Sequence, residues 1–220
     1  MANRTFRRAL VICNGEPPSR TLLRAAARQC DLVVAADGGA NTAVASGILP
    51  HVVIGDLDSI RVATRRALRT ALILRVDRQD NTDLEKALDF LAFRGVRQIV
   101  ILGATGRRID FTLGNLSVLW NYVRSMDITV AGDGWTAIPV VRSLTVRAPR
   151  GTVVSIIPFG VCSGITLKGF FYPLRNATMS VGDIGVSNVV SLSPARIRVR
   201  QGHVLAVMFP RPSERGRRPR

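Results

Sequence analysis

Cysteines are scarce in this sequence, and it contains no long apolar run. The 220 residues include three cysteines, Cys13, Cys30 and Cys162, and no two of them have CxxC spacing. This odd count argues against both a disulfide framework and a thiolate zinc site. No apolar run approaches the roughly 20 residues that a membrane-spanning helix needs. We therefore expect a soluble globular protein of a reducing compartment, the cytoplasm.

Acidic and aromatic side chains are also in short supply. The chain has 15 Asp and Glu against 31 Lys and Arg, a formal charge of +16, and 5% of its residues are aromatic. A surface this basic attracts nucleic acid, acidic lipid or a small polyphosphate. A nucleic-acid module usually combines clustered basic residues with aromatics for stacking, whereas the arginines here are scattered along the chain. The charge by itself leaves the partner open.

The first part of the chain, up to residue 135, alternates short apolar runs with amphipathic stretches. The predicted strands span residues 9–13, 32–36, 52–54, 71–76, 99–102 and 128–131. The predicted helices span residues 19–29, 59–70, 82–93 and 111–124. Strands that alternate with helices of this length indicate crossover connections and a mostly parallel sheet covered by helices.

Beyond residue 135 the apolar runs are β-branched and short, Gly and Pro interrupt them, and no helical stripe is present. The runs lie at residues 144–147, 152–157, 165–168, 186–192, 197–200 and 204–209. This pattern predicts a small antiparallel sandwich or barrel. We therefore expect an α/β domain at 1–135, an all-β sandwich domain at 136–210, and a basic tail at 211–220 that is disordered.

Acidic residues follow several predicted strands of the first domain. Ligands of open parallel sheets bind outside the carboxyl ends of the strands, so these positions are informative. Asp56 and Asp58 are expected on the same side of an extended segment, where their charges repel unless a cation lies between them. The acids after successive strands are Asp37, Asp56 with Asp58, Asp77 with Asp80 and Asp83, and Asp110.

Each of these acidic segments also has a purely structural interpretation. Asp37 precedes two glycines and can belong to a simple turn. Ser59 is the expected N-cap of one helix, and Thr82 is the expected N-cap of the next, in a capping box. Asp110 can likewise cap the helix at 111–124. The convergence of so many carboxylates on one sheet edge nevertheless favours a bound cation, because their mutual repulsion would otherwise destabilise the fold.

A hard divalent ion suits a site made of carboxylates alone. Because neither His nor Cys accompanies the acids, Mg²⁺ is the expected ion, since it prefers oxygen ligands and often bridges to phosphates. Lys86 and Arg108 can bind phosphate oxygens, and Gly38 and Gly39 let a polyphosphate approach backbone N–H groups. These features predict phosphoryl transfer from a nucleotide, on a scaffold without a P-loop or a protein-kinase motif.

Several ordered sequence blocks resemble those of the thiamine pyrophosphokinase family. The resemblance covers most of residues 10–120, and residues 167–174 and 185–188 of the second domain are similar to the family more loosely. The blocks are Asn14-Gly15, Ala36-Asp37-Gly38-Gly39-Ala40, Gly55-Asp56-Leu57-Asp58-Ser59, Gln79-Asp80-Asn81-Thr82-Asp83 with Lys86, and Gly103 to Asn115 with Arg108 and Asp110.

The resemblance implies transfer of the terminal diphosphate of ATP to the hydroxyl of thiamine, with thiamine diphosphate and AMP as products. It also implies a homodimer whose sites lie between subunits. Carried over by position, the Mg²⁺ ligands would be Asp56, Asp58 and Asp83. The residues that line the phosphate and nucleotide region would be Lys86, Arg108 and Asp110.

Further residues are implied in binding the two substrates. Gln79 would contact the pyrimidine ring of thiamine, joined by Ser187 from the second domain. The floor of the nucleotide pocket would be formed by Asn14, Asp37, Gly38 and Gly39. Neighbouring motif positions complete the predicted binding set, namely Asp80, Thr82, Asn115 and Asn188.

The chain departs from the family pattern at two places. Phe111 stands where members commonly have His, and residues 189–200 lack the Trp on which some members stack thiamine. Stacking would then fall to Phe170 or Tyr172. These departures keep open diphosphate transfer to another hydroxymethyl compound, such as a pterin. A basic nucleic-acid-binding module is the alternative from another class.

Overall fold

The structure is a computed structural model that describes residues 6–77, 80–183 and 185–210. The chain divides into two compact units, Met1–Asp133 and Gly134–Arg220. The basic tail at 211–220, expected to be disordered, lies outside the described residues. Within the described ranges, no helix combines the length and apolar character needed to cross a membrane.

A parallel sheet forms the centre of the first unit, as predicted. Its order is β4-β3-β2-β1-β5-β6, and every neighbouring pair is parallel. Parallel neighbours end on the same side, so the loops after these strands share one edge. The strands are β1 (Arg8–Ile12), β2 (Leu32–Ala36), β3 (Val52–Gly55), β4 (Leu72–Arg75), β5 (Gln98–Leu102) and β6 (Asp127–Gly132).

Helices connect these strands, and the sequence gives good reasons for two of their starts. Ser19 caps α1, since its side chain accepts a hydrogen bond from the N–H of Leu22 at 3.2 Å. Thr82 caps α4 in a capping box with Glu85, as predicted. The helices are α1 (Arg20–Arg28), α2 (Gly39–Ala45), α3 (Val62–Ala67), α4 (Asp83–Phe93) and α5 (Ile109–Val118), the last followed by a 3-10 turn at Leu119–Asn121.

Two predicted helix caps are wrong. Arg61, not Ser59, is the N-cap residue of α3, and Asn41 of α2 holds this segment by bonding Ser59 O and the N–H of Arg61. The sequence pattern did not predict α2, so this partner was missed. Asp110 lies inside the first turn of α5, whose N-cap residue is Arg108. Helix α5 begins earlier than predicted because the chain turns helical directly after Arg108.

The core of the first unit forms where strand β1 meets its neighbours. Leu10 and Ile12 are fully buried, as are Leu102 of β5 and Leu23 of α1. Every residue of β2 is also buried. A strand buried on both faces reads as a continuous apolar run, which is why the sequence located β1 and β2 within one residue.

The second unit is built from antiparallel strands, in agreement with the predicted all-β class. Strand β9 is 16 residues long and pairs with β13 along its first part and with β10 and β12 along its last part. The strands are β7 (Trp135–Val140), β8 (Ser143–Val146), β9 (Val153–Lys168), β10 (Leu174–Met179), β11 (Asn188–Val189), β12 (Ala195–Arg198) and β13 (Gln201–Phe209).

The detailed strand prediction for this unit needs correction. The runs at 152–157 and 165–168 belong to one strand, β9, which continues through Gly160 and Gly164. Strands β7 and β10 were not predicted, because Pro139 interrupts the apolar residues of β7 and polar residues interrupt those of β10. Strand β9 takes part in two sheets, one with β13 and β7 and the other with β10, β12 and β8. The buried residues of both sheets form a single core that includes Phe170, Ile156 and Ile197.

Candidate active site

Three carboxylates meet at the shared edge of the first unit's sheet. Asp37 follows β2, and Asp56 and Asp58 follow the neighbouring strand β3. Their ligand oxygens all lie within 4.8 Å of one another, with Asp37 buried, Asp56 half-buried and Asp58 exposed. We call these three residues the carboxylate cluster. Sequence reasoning assigned Asp37 to the nucleotide pocket; its place in the cluster requires knowing that β2 and β3 are neighbours.

The carboxylate of Asp37 is buried at this edge. Its Oδ1 atom is buried and has no hydrogen-bond partner among the described residues. A buried carboxylate oxygen without a partner is costly, and two further carboxylates beside it add repulsion. A cation with oxygen coordination would relieve both effects, so the cluster has the donor set that Mg²⁺ prefers.

Asp56 and Asp58 belong to a turn, so the prediction that they lie in an extended segment is wrong. Leu57 between them has φ of 69°, in the left-handed region. The N–H of Asp58 donates to Oδ1 of Asp56 at 3.3 Å, and Ser59 Oγ donates to Oδ1 of Asp58 at 2.9 Å. The turn, rather than strand alternation, therefore brings the two carboxylates together.

Asp83 adjoins the carboxylate cluster from the start of α4. Its Oδ1 lies 2.9 Å from Nζ of Lys86, whose side chain is 4% exposed. A side chain at Gly55 would approach Asp83 Oδ1 to 3.0 Å and Asp37 Cβ to 2.9 Å, so the close packing of these two acids requires glycine there. Lys86 is thus committed to Asp83 and is not exposed to solvent.

The pKa of Asp83 reflects this crowded position. Burial raises the pKa of its carboxyl, the bond to Lys86 and the charge of Lys86 lower it, and the charges of Asp37 and Asp56 raise it again. The net result is a raised pKa, which means that the ionised carboxylate is destabilised where it stands. Asp83 therefore also gains from a cation near the cluster.

The loop after β5 carries the predicted phosphate-binding residues on the surface. Arg108 Nε donates to Oδ1 of Asp110 at 3.1 Å, and the guanidinium lies 4.5 Å from the ring centre of Phe111. This pair lowers the pKa of the Asp110 carboxyl, chiefly through the hydrogen bond from Arg108. Phe111 thus supports Arg108 through a cation–π contact. The sequence pattern did not predict this contact.

Other predicted nucleotide-binding residues contact the backbone or side chains of this loop and of the segment after β1. Asn115 is buried, and its Nδ2 donates to Ala104 O at 2.8 Å. Arg107 Nη1 donates to the backbone oxygen of Asn14 at 3.3 Å. A side chain at Gly38 would lie 2.3 Å from Asn14 Nδ2. The structure therefore brings Asn14, Gly38 and the Arg107 loop together, and it gives Asn115 a backbone-holding contact.

Only part of the segment before α4 belongs to the described residues. Thr82 serves as the helix cap. Asp80 lies just before it and is exposed. Gln79, predicted to contact the pyrimidine of thiamine, lies outside the described residues. Gly39 opens α2, where a side chain would lie 1.9 Å from Ile12 O, so glycine lets the helix start against the end of β1.

In the second unit, Asn188 holds the backbone of an exposed turn between β9 and β10. We call this turn, which contains Phe171 and Tyr172, the aromatic turn. Its Nδ2 donates to Tyr172 O at 2.7 Å, and its Oδ1 accepts from the N–H of Tyr172 at 3.0 Å. Ser187, directly before it, is exposed, has φ of 60°, and donates its N–H to Ser155 Oγ. Asn188 is itself buried. It therefore acts on the backbone of residue 172, while Ser187 faces solvent.

Of the two aromatic residues predicted to stack on thiamine, Phe170 is buried and Tyr172 is exposed. Phe170 is 4% exposed and belongs to the core, so it presents no ring to a ligand. Tyr172 is 63% exposed, and its ring packs edge-on against the exposed ring of Phe171 at 5.0 Å between centres. Phe171 was missed as a candidate because its exposure depends on the turn between β9 and β10.

Models of one protein family match both units of the chain. The family model "Thiamin pyrophosphokinase, catalytic domain" matches residues 23–130, and "Thiamin pyrophosphokinase, vitamin B1 binding domain" matches residues 142–204. Thiamine pyrophosphokinase 1 of Arabidopsis thaliana is 30% identical over 217 residues, which cover 84% of this chain and 79% of that protein. The chain belongs to the thiamine pyrophosphokinase family.

Two further family members agree in sequence and in fold. Thiamine pyrophosphokinase of Bacillus subtilis (strain 168) is 29% identical over 184 residues, covering 80% of this chain and 86% of that protein. The crystal structure of thiamin pyrophosphokinase from Geobacillus thermodenitrificans superposes with a TM-score of 0.81 at 26% identity, covering 94% of this chain and 99% of that chain. Membership of this family does not favour the pterin or nucleic-acid module alternatives.

Proposed function

We propose that this chain transfers diphosphate from ATP to the hydroxyl of thiamine and so forms thiamine diphosphate and AMP. Family membership supports the reaction, and the carboxylate cluster supports its location. The single observation that carries the location is the buried Oδ1 of Asp37, which lacks a partner among the described residues and lies beside two more carboxylates.

Asp37, Asp56 and Asp58 would hold Mg²⁺, and Asp83 would add negative charge from α4. When bound, the ion neutralises charge on the phosphates of ATP. Lys86 lowers the pKa of Asp83 against the larger effect of burial, and its 2.9 Å contact fixes the carboxylate in place. The turn at Leu57 sets the spacing of Asp56 and Asp58, so the chain presents these acids in one preformed group.

Arg108 is exposed, and its guanidinium is proposed to bind phosphate oxygens of the nucleotide. Asp110 orients the Arg108 guanidinium from one side and Phe111 supports it from the other. The lowered pKa of Asp110 makes it a weak proton acceptor, so its role is to position Arg108. Asn115 holds the Ala104 carbonyl, and Asn14, Gly38 and Gly39 form the floor of the nucleotide pocket.

Thiamine would be bound by Ser187 together with the exposed ring of Tyr172, which Asn188 holds in position. Gln79, Asp80 and Thr82 are proposed to contribute from the segment before α4. We further propose a homodimer with sites shared between subunits, and a cytoplasmic location. The free thiols of Cys13, Cys30 and Cys162 support a reducing compartment.

The deciding experiment is incubation of the purified protein with ATP, Mg²⁺ and thiamine. Equal amounts of AMP and thiamine diphosphate are expected, and neither should form when EDTA replaces Mg²⁺. A pterin with a hydroxymethyl group serves as the competing substrate. Release of ADP in place of AMP, or faster AMP formation with the pterin, would overturn the proposal.

A further inference from the structure

Four basic side chains that are scattered in the sequence lie on one exposed face of the second unit. They are Lys168 at the end of β9, Arg175 in β10, and Arg196 and Arg198 in β12. We call these four residues the basic cluster. Strands β10 and β12 both pair with the last part of β9. Adjacent strands are about 4.8 Å apart, so the cluster spans about 10 Å across the sheet.

Strand register brings two of the arginines against Lys168. Arg196 is directly opposite Lys168, and Arg198 is directly opposite Thr166. Along β12, buried and exposed residues alternate, with Arg196 and Arg198 exposed. Like charges directly opposite each other in a sheet are destabilising. The pairing of Arg196 with Lys168 therefore carries a cost that a bound anion would remove.

Arg175 joins this face from the other edge of β9. Leu174 is opposite Leu167, and both contribute to the core. Because side chains alternate along a strand, Arg175 points outward, as Lys168 does. Both residues line one open surface pocket of about 450 Å³.

Acidic side chains that could neutralise this face are almost missing. Within residues 134–210 the sequence has one acid, Asp183, whose carboxylate accepts hydrogen bonds from Ser180. In the described part of the unit, no carboxylate forms an ion pair with any member of the basic cluster. Against this one acid stand eight basic residues, Arg142, Arg147, Arg150, Lys168, Arg175, Arg196, Arg198 and Arg200.

We propose that the basic cluster is a second anion site, which binds the polyphosphate chain of a nucleoside triphosphate or of inorganic triphosphate. Guanidinium groups match phosphate oxygens in geometry and charge. Four cations exceed the charge of a single phosphate, whereas a triphosphate carries enough negative charge to balance them. Thr166, at the centre of the cluster, adds a hydroxyl group.

On the side of β8, the residues that flank the basic cluster are polar and suit a phosphate chain. Ser143 and Thr145 of β8 are opposite Arg198 and Arg196, and both are exposed. These register positions offer neither an aromatic ring for base stacking nor an apolar side chain for insertion into lipid. The inference goes beyond the proposed reaction, since none of the four cluster residues belongs to the proposed active site.

The test uses the full-length protein without Mg²⁺ at low salt, and titrates it calorimetrically with sodium tripolyphosphate. The variant Arg196→Gln/Arg198→Gln should bind about tenfold or more weakly than the parent, because two charge-assisted contacts are lost. The control Arg20→Gln/Arg28→Gln removes the same charge from α1 and should bind as the parent does. Equal weakening in both variants would overturn the proposal, because it would mean general charge attraction only.

Two further comparisons make the test specific. AMP should bind the parent at least tenfold more weakly than tripolyphosphate, while ATP and tripolyphosphate should compete for the cluster. Binding of AMP as tight as that of tripolyphosphate would contradict a polyphosphate site. Binding of a 20-nucleotide RNA about 100-fold tighter than tripolyphosphate, lost in Arg196→Gln/Arg198→Gln, would identify a nucleic-acid surface and overturn the proposal in that direction.

The enzymatic assay separates this site from the active site. AMP formation from ATP and thiamine should proceed with an unchanged KM for ATP in Arg196→Gln/Arg198→Gln. A KM that rises by the same factor as tripolyphosphate binding weakens would show that the cluster belongs to the active site, which would also overturn the proposal. If the chain released no AMP at all, the proposed reaction would fail while the binding comparison remained decisive.

Discussion

Lys86 Nζ lies 2.9 Å from Asp83 Oδ1, and these residues are one turn apart at the start of α4. The Lys86 side chain is almost completely buried, and the contact places its amino group against the Asp83 carboxylate. The pair therefore links the stability of α4 to the charge of the proposed cation site.

Substitution of Lys86 by Met should destabilise the protein. Asp83 would keep a half-buried carboxylate with no cation beside it, and the free energy of unfolding should fall by about 2 kcal/mol. Urea denaturation at pH 7 without metal measures this change. The double variant Lys86→Met/Asp83→Asn should recover most of the loss, because it leaves no unpaired charge. An equal loss in both variants would show that packing, and not charge, is responsible.

Substitution of Asp37 by Asn should weaken divalent-ion binding and abolish most activity. We expect Mn²⁺ affinity, measured by electron paramagnetic resonance, to fall at least tenfold, and turnover to fall about 100-fold or more. Without metal the variant should be as stable as the parent or more so, since the substitution removes a buried carboxylate whose Oδ1 has no hydrogen-bond partner among the described residues. The matched control is Asp127→Asn on the exposed start of β6, which should behave as the parent. Unchanged Mn²⁺ affinity in Asp37→Asn would contradict the cation site.

Substitution of Tyr172 by Leu should affect thiamine and leave ATP binding alone. The thiazolium ring of thiamine is a cation, and its contact with an exposed aromatic ring contributes about 0.5–1.5 kcal/mol. The KM for thiamine should therefore rise about 3- to 10-fold, while the KM for ATP stays constant. Phe93→Leu, an exposed aromatic of the first unit, is the control. A rise in the KM for ATP alone would exclude this role for Tyr172.

Substitution of Cys13 should change how stability depends on alkaline pH. Burial, followed by the charge of Asp83, raises the pKa of the Cys13 thiol from 9.0 to about 12. Below pH 9 both states keep the proton. Between pH 9 and 12 only the unfolded chain loses it, so stability falls by about 1.4 kcal/mol per pH unit.

The stability that Cys13 contributes should therefore shrink as pH rises. The difference in unfolding free energy between the parent and Cys13→Ala is measured at pH 7.5, 9.0 and 10.0, and it should be constant up to about pH 9 and smaller above. Val11→Ala in the same strand has no titrating group, so its difference from the parent should stay constant. A constant difference for Cys13→Ala would contradict the raised pKa.

The sequence predicted β1, β2 and β3 well because these central strands are buried on both faces, and continuous apolar runs mark them. The same signal fails where neighbours decide the outcome. Asp37 joins the carboxylate cluster only because β2 lies beside β3, an order that no local pattern encodes. Ser59 is a good cap by residue type, but Asn41 of α2 already holds that segment.

In the second unit, local patterns were less informative because turns decide which side chains are exposed. Phe170, Phe171 and Tyr172 are consecutive and chemically similar, yet one is in the core and two face solvent. The basic residues were also scattered in the sequence, whereas strand pairing places four of them on one face. In both cases the decisive information is the register of β9 with its partners.

Strand β9 has a mechanical consequence for the second unit. Its first part pairs with β11 and β13, and its last part pairs with β10 and β12, so one continuous backbone belongs to both sheets. Neither sheet can separate from the core without breaking hydrogen bonds along this strand. The aromatic turn and the basic cluster should therefore lose their structure in one cooperative step, and the amide protons of β9 should be among the slowest to exchange with solvent.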